Sequence, residues 1–182
     1  MNHIDESIEG DDHIDTALRL RTDEPMMALR ASRPAVKRFL QQAGAAVLEA
    51  GITADFSAIE REAVGLRVAV LHRALPAYAR HRSALGDLGI DELKLRQIEA
   101  DVPAVGPRLA AVLAHVDLLT LRPAQCRAAD LDRLRQRGLS ERAIVTLTQL
   151  VGYLNFEIRL VTGLQLLREH PAGRLCRNGS HG

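Results

Sequence analysis

The stretch that decides the fold is "EREAVGLRVAVLHRALPAYARH", residues 60–81. Just upstream, Ser57 stands three residues before Glu60, the spacing of a capping box, and so marks a helix start. Ile59, Ala63, Leu66, Val70 and Leu71 then recur at helical intervals and predict an apolar face. Pro76 interrupts that pattern. Proline's fixed φ and missing N–H suit the first turn of a new helix, so "PAYARHRSALGDLG" is predicted as a second, short helix. The stretch is therefore two helices joined by a break, with Glu62, His72 and His81 distributed about it.

Working outward, the helical pattern continues in both directions. In "RPAVKRFLQQAGAAVLEAG", Val36, Phe39, Leu40, Ala43 and Val47 share one face, with Leu48 beside it and Gly51 as the stop. "IDELKLRQIEA" is a further helix capped near Asp91. In "GPRLAAVLAHVDLLTLRP" the buried stripe is Leu109, Val112, Val116 and Leu119, and Pro123 ends it. "AADLDRLRQRGLS" is a short helix with Gly138 at its C-cap. Ser140 then caps the longest helix, whose seam is Ile144, Leu147, Val151, Leu154, Ile158 and Val161, with Leu150, Leu160, Leu164 and Leu167 beside it. So wide an apolar face predicts burial on two sides, the second against another subunit. Period-two alternation is nowhere sustained, and the fold class is all-α.

Composition fits this. With 182 residues, 47% hydrophobic and 26% charged, the chain suits one globular domain, here residues 25–170. Residues 1–24 hold eight acids against two arginines and are read as an acidic tail, flexible up to about Asp12; residues 171–182 are read as a second flexible tail. The rest of the chain carries 22 basic and 15 acidic residues, a net charge of +7. Its arginines are spread along every segment and aromatics are only 3%, which argues against nucleic acid as a partner. "LDRLRQRGLSERAIVTLTQL" has the outline of a helix-turn-helix, but Arg142 is its last cation until Arg159, too few for base reading. No apolar run suggests a membrane span, and the acidic start is the reverse of a signal peptide, so a cytoplasmic chain is expected. Cys126 and Cys176 lie 50 residues apart and are read as a small core residue and a tail thiol. The repeated "HID" at His3 and His13 falls in the predicted tail, where ligands cannot be preorganised, and no metal or other cofactor is expected.

Three segments together resemble the alkylhydroperoxidase D-like, or carboxymuconolactone decarboxylase, family, in its peroxidase-related branch. That family's frame is Glu, eleven residues, Cys, two residues, Cys, three residues, His. Here Glu62 is followed at those intervals by Ala74, Ala77 and His81, so the frame stands with alanine at both cysteine positions. "PRLAAVLAHVDLLTLRP" is similar to the family's helix leading into a proline-ended turn. "LDRLRQRGLSERAIVTLTQLVGYLNFEIRLVTGL" resembles the branch's long helix, with Asn155 and Arg159 four apart. The resemblance spans roughly residues 30–168. It implies an all-helical bundle that self-associates as a dimer, trimer or hexamer, and a small-molecule ligand.

It also implies a chemistry. In intact members a thiol at a helix start is activated by the Glu–His relay, attacks the peroxide, and is resolved by the second cysteine. Alanine offers no nucleophile, so a disulfide cycle at this frame is excluded as the sequence stands. Three readings of Glu62 and His81 remain: an acid–base pair acting on a small carbonyl or lactone, a buried pair joining two helices, or two solvated residues. His72, at a helix end, is either a third site residue or an imidazole meeting the helix dipole. Together with the pair it would make a two-His, one-carboxylate set, although nothing in the spacing enforces one. Tyr78 either lines the same pocket or packs, and Asn155 with Arg159 reads as an interhelical hydrogen bond and salt bridge.

Overall fold

The computed structural model describes residues 12–48, 56–100 and 102–170. Nine α-helices and two short 3-10 turns occur among them, with no strand. They are α1 (His13–Leu18), α2 (Pro25–Ala31), α3 (Pro34–Leu48), α4 (Ala58–His72), α5 (Leu75–Asp87), α6 (Glu92–Ala100), α7 (Pro107–Leu121), α8 (Ala128–Gln136) and α9 (Glu141–Glu169). The 3-10 turns are Val102–Val105, before α7, and Pro123–Gln125, after it. Gly51 as a helix stop, His3, Cys176 and the segment 171–182 lie outside the described residues.

The helix boundaries follow from local chemistry. Ser57 Oγ accepts from the Glu60 N–H at 3.2 Å while the Glu60 carboxylate accepts from the Ser57 N–H at 2.8 Å, which completes the capping box of α4. Ser140 Oγ accepts from the Ala143 N–H at the start of α9, and Asp91 Oδ1 from the Lys94 N–H at the start of α6. Gly106 adopts φ of 99° ahead of Pro107, a left-handed backbone that lets α7 begin after a sharp turn.

α4 is the central helix, packed against α5, α6, α7 and α9. The sequence predicts one buried face for it; in fact Val64, Val68 and Ala69 are as buried as Ala63 and Leu66, because neighbours surround it. Val112, Leu113 and Val116 from α7 and Leu147, Leu150, Val151 and Leu154 from α9 complete the main core. A second, small cluster joins Ile14 and Leu18 of α1 to Val161 of α9, with Leu40, Leu160 and Leu164 against it.

Two expectations change here. Residues 12–18, placed by the sequence in the acidic tail outside the domain, form α1 and pack onto α9. Asp12 is buried, caps α1 through the Ile14 and Asp15 N–H groups, and pairs with Arg30 at 2.7 Å. Asp15 also pairs with Arg30, and with Lys37 at 2.6 Å. Burial alone would raise the Asp12 carboxyl; the Arg30 charge, those two N–H groups and Lys37 outweigh it and hold the pKa below its usual value. Acidity here is a set of internal ion pairs, and composition could not distinguish them from solvation. The second change concerns α3: Val36 and Phe39, predicted to face a core, are exposed at 49% and 62%. Leu40 and Val47 of the stripe pack against the two clusters, while Val36 and Phe39 are left open by the described residues.

Candidate active site

The break between α4 and α5 builds the site. Arg73 takes the left-handed conformation, φ 55°, and its N–H and that of Ala74 return to the carbonyls of Val70 and Ala69. Pro76 lies within the first two positions of α5. The reversal lays α5 along α4, so that His81 comes back beside Gly65 and Glu62. Gly65 is required there: a Cβ would sit inside van der Waals contact of His81 Cε1 and Nδ1, and 2.6 Å from Nε2. The imidazole occupies the space a side chain would fill.

His81 is 2% exposed, and both ring nitrogens have partners. Nδ1 lies 2.8 Å from Glu62 Oε2, and Nε2 lies 3.1 Å from an Arg80 guanidinium nitrogen. A guanidinium only donates, so Nε2 accepts and Nδ1 carries the proton that it donates to Glu62. Arg80 is itself held by Glu157 of α9 at 3.0 and 3.4 Å. The ordered chain is Glu157–Arg80–His81–Glu62. The Glu62 side chain is 27% exposed and the Arg80 side chain 34%, so the ordered chain meets solvent at these two members, while His81 and Glu157 are sealed.

Ala74, the N-cap of α5, and Ala77 stand seven and four residues before His81 and are half-buried against the core. Leu75 projects outward and is 77% exposed. Tyr78 turns away from the pair and donates to Glu99 Oε1 at 2.9 Å, within a group that Arg82 and Glu92 complete. Burial first, and then Glu99, raise its phenol pKa.

His72 does not join Glu62 and His81. It sits ten residues beyond Glu62 on α4, about 15 Å along the axis. Its Nε2 lies 2.7 Å from Asn155 Oδ1, and Asn155 Nδ2 donates to Val151 O at 2.8 Å and Thr120 Oγ1 at 3.1 Å. The Val151 carbonyl only accepts, which fixes the amide orientation and makes His72 Nε2 the donor. His72, Thr120 and Asn155 thus tie α4, α7 and α9 together. The expected interhelical hydrogen bond of Asn155 is present, while Arg159 is exposed and makes no ion pair among the described residues. Among the described residues no three His, Cys, Asp or Glu side chains converge as metal ligands.

Three residues of the site escape sequence reading. Gly65 looks like an ordinary weak point in a helix. Arg80 is one of many arginines. Glu157 offers a signal: it is a carboxylate between Leu154 and Ile158, on the buried side of α9, where a charge needs a partner.

Solved structures with this architecture place the chain in a known fold class. An uncharacterized peroxidase-related protein from Silicibacter sp. TM1040 superposes with a TM-score of 0.63 at 20% identity, covering 70% of this chain and 67% of that one. The alkylhydroperoxidase AhpD core of an uncharacterized peroxidase-related protein from Ralstonia eutropha JMP134 superposes with a TM-score of 0.66 at 17% identity, covering 73% and 70%. The chain therefore has the alkylhydroperoxidase D-like all-α fold. No protein-family model and no curated protein matches it.

Proposed function

We propose that this chain is a peroxidase-related protein of the alkylhydroperoxidase D-like class without a redox cysteine pair, and that Glu62 is its reactive group. The carrying observation is the oriented pair: His81 donates from Nδ1 to one carboxylate oxygen of Glu62, whose side chain stays partly open to solvent. A carboxylate so held can take a proton from a small carbonyl or lactone substrate. In this reading Glu62 is the base, and His81, sealed behind it, positions it. His72 belongs to a separate structural link. The competing reading is a relic that holds α4 against α5, favoured by the burial of His81 and the occupation of both its nitrogens.

Restoring the nucleophiles separates the two. In Ala74→Cys/Ala77→Cys, one thiolate would attack tert-butyl hydroperoxide, releasing tert-butanol and leaving a sulfenic acid; the second thiol closes a disulfide with loss of water, and dithiothreitol reduces it. Turnover by the double variant that falls at least tenfold on adding Glu62→Gln supports a poised carboxylate. A folded double variant with no turnover, or turnover indifferent to Glu62, supports the relic.

The proposal extends to self-association. Leu29, Val36 and Phe39 on α2 and α3, and Val145, Phe156, Leu166 and Leu167 on α9, are exposed apolar side chains, and a second copy of the chain would cover them. Light scattering after gel filtration tests this: Phe39→Asp and Phe156→Asp should reduce the mass, and a monomeric parent would end the idea. No described helix is long and apolar enough to cross a membrane; a cytoplasmic location is part of the same proposal.

A further inference from the structure

A second candidate site lies on the far side of α7 from Thr120. Past the end of α7, the turn Pro123–Gln125 carries the chain into α8, and the corner encloses an open groove of about 350 Å³. Ala114 and Leu118 of α7 form its apolar wall; Arg122, Gln125, Arg127 and Arg133 surround it, with Asp130 the one acid. That acid is already engaged. Asp130 accepts from the Arg127 N–H at 2.7 Å and from the Arg133 guanidinium. The Arg127 N–H, then its burial opposed by Arg133, set the balance that keeps its carboxyl below the usual pKa. Arg122 and Arg127, by contrast, have no carboxylate partner among the described residues. Behind the wall His115 is 5% exposed, its Nδ1 has no hydrogen-bond partner, and Asp130 and Arg133 are within electrostatic reach of its ring.

We propose that this groove binds a small amphipathic anion, a carboxylate or phosphate monoester whose charged head pairs with Arg122 and Arg127 while its apolar body lies on Ala114 and Leu118. Guanidinium forks match both head groups, and two of them unpaired beside an apolar wall form a charge-complementary seat. The volume is at the small end of ligand sites, suited to a single-ring or short-chain molecule. This site uses none of the residues of the Glu62–His81 pair and stands or falls separately from it.

Phenyl phosphate, benzoate and neutral benzyl alcohol are the probes, titrated into the full chain and followed by amide and His115 ring shifts in NMR. Saturable shifts confined to residues 114–133 for either anion, and none for benzyl alcohol, are expected; the better anion identifies the head group. Arg122→Gln/Arg127→Gln should weaken binding at least tenfold, while Arg96→Gln, an exposed arginine on α6, should change nothing. Equal binding by the double variant, or equal shifts with benzyl alcohol, would overturn the proposal.

Cys126, expected from the sequence to be a small core residue, is instead exposed between Gln125 and Arg127 and so provides an independent readout. In a Cys176→Ser background, its rate with the dianionic aromatic disulfide 5,5′-dithiobis(2-nitrobenzoate) is divided by its rate with neutral 4,4′-dithiodipyridine. The ratio removes any change in thiolate fraction. It should fall several-fold in Arg122→Gln/Arg127→Gln at constant ionic strength, and an unchanged ratio contradicts the groove.

Discussion

Gly65→Ala is the substitution in which the geometry of the site predicts a sign that helix propensity alone gets wrong. Alanine in place of glycine inside a helix normally stabilises by about 1 kcal/mol. At Gly65 the new methyl would meet the His81 ring 2.6 Å from Nε2, and the ring has no room to slide because Glu62 and Arg80 hold its two nitrogens. Overpacking and a weakened hydrogen bond to a carboxylate together cost about 3 kcal/mol. The net result is a destabilisation of about 2 kcal/mol, or a fall of roughly 1 M in the urea midpoint for a chain of this size. Removing the ring should reverse the sign. In a His81→Ala background the methyl fills vacated space, and Gly65→Ala should stabilise by about 1 kcal/mol, a coupling near 3 kcal/mol. Urea melts of the four proteins give the cycle directly. Equal effects of Gly65→Ala in both backgrounds would refute the placement of the ring against Gly65.

Two further substitutions probe the links around the site. Arg30→Met leaves the Asp12 and Asp15 carboxylates to Lys37 alone and should cost about 2–3 kcal/mol of local stability, less than stranding them would, read as faster hydrogen exchange over residues 13–18. The same contacts predict an acid limit: the Asp12 pKa is depressed, so its contribution is complete above the unfolded value near 3.8 and fades as pH falls through the lower folded value, with α1 protection lost before that of α4. Lys37 has the opposite sign; bonding to Asp15 raises its pKa, so its share is present below about 10.5 and fades only as pH rises through the higher folded value. Asn155→Leu leaves His72 and Thr120 without their shared partner and should cost about 2–3 kcal/mol, measured as a lower urea midpoint, whereas Arg159→Leu should stay within 0.5 kcal/mol.

How far the sequence reveals this molecule depends on whether a signal is local. Ser57, Asp91, Ser140, Pro76 and Gly138 act on their own turns, and the helix ends they mark fall where the residues place them. The seam of α9 is also local in origin, because 3.6-residue periodicity needs no knowledge of the partner. Which apolar stripe is covered is not local. Val36 and Phe39 carry the same pattern as Val112 and Val116, and only the packing of the other helices distinguishes the exposed pair from the buried one. Charge behaves similarly: the acids of residues 12–15 look solvated until Arg30 and Lys37, 15 to 25 residues away, are found against them. At the site, the frame spacing brings Glu62 and His81 together, because the reversal at Arg73 and Ala74 lays α5 back along α4 with His81 beside Gly65, within a turn of Glu62, whose long side chain spans the difference. The same geometry sends His72 elsewhere, since ten helical residues cannot be folded back. Gly65, Arg80 and Glu157 complete the arrangement through contacts that no spacing in the chain announces.

The most direct test of the account is the protonation pattern of the His81 ring, read from the 15N shifts of its two nitrogens at neutral pH. The account predicts a pyrrole-type Nδ1, bearing the proton given toward Glu62, and a pyridine-type Nε2 facing Arg80, with Nδ1 shifting in Glu62→Gln and Nε2 in Arg80→Met. A ring with the proton on Nε2, or nitrogens indifferent to both substitutions, would contradict the oriented carboxylate on which the proposed chemistry rests.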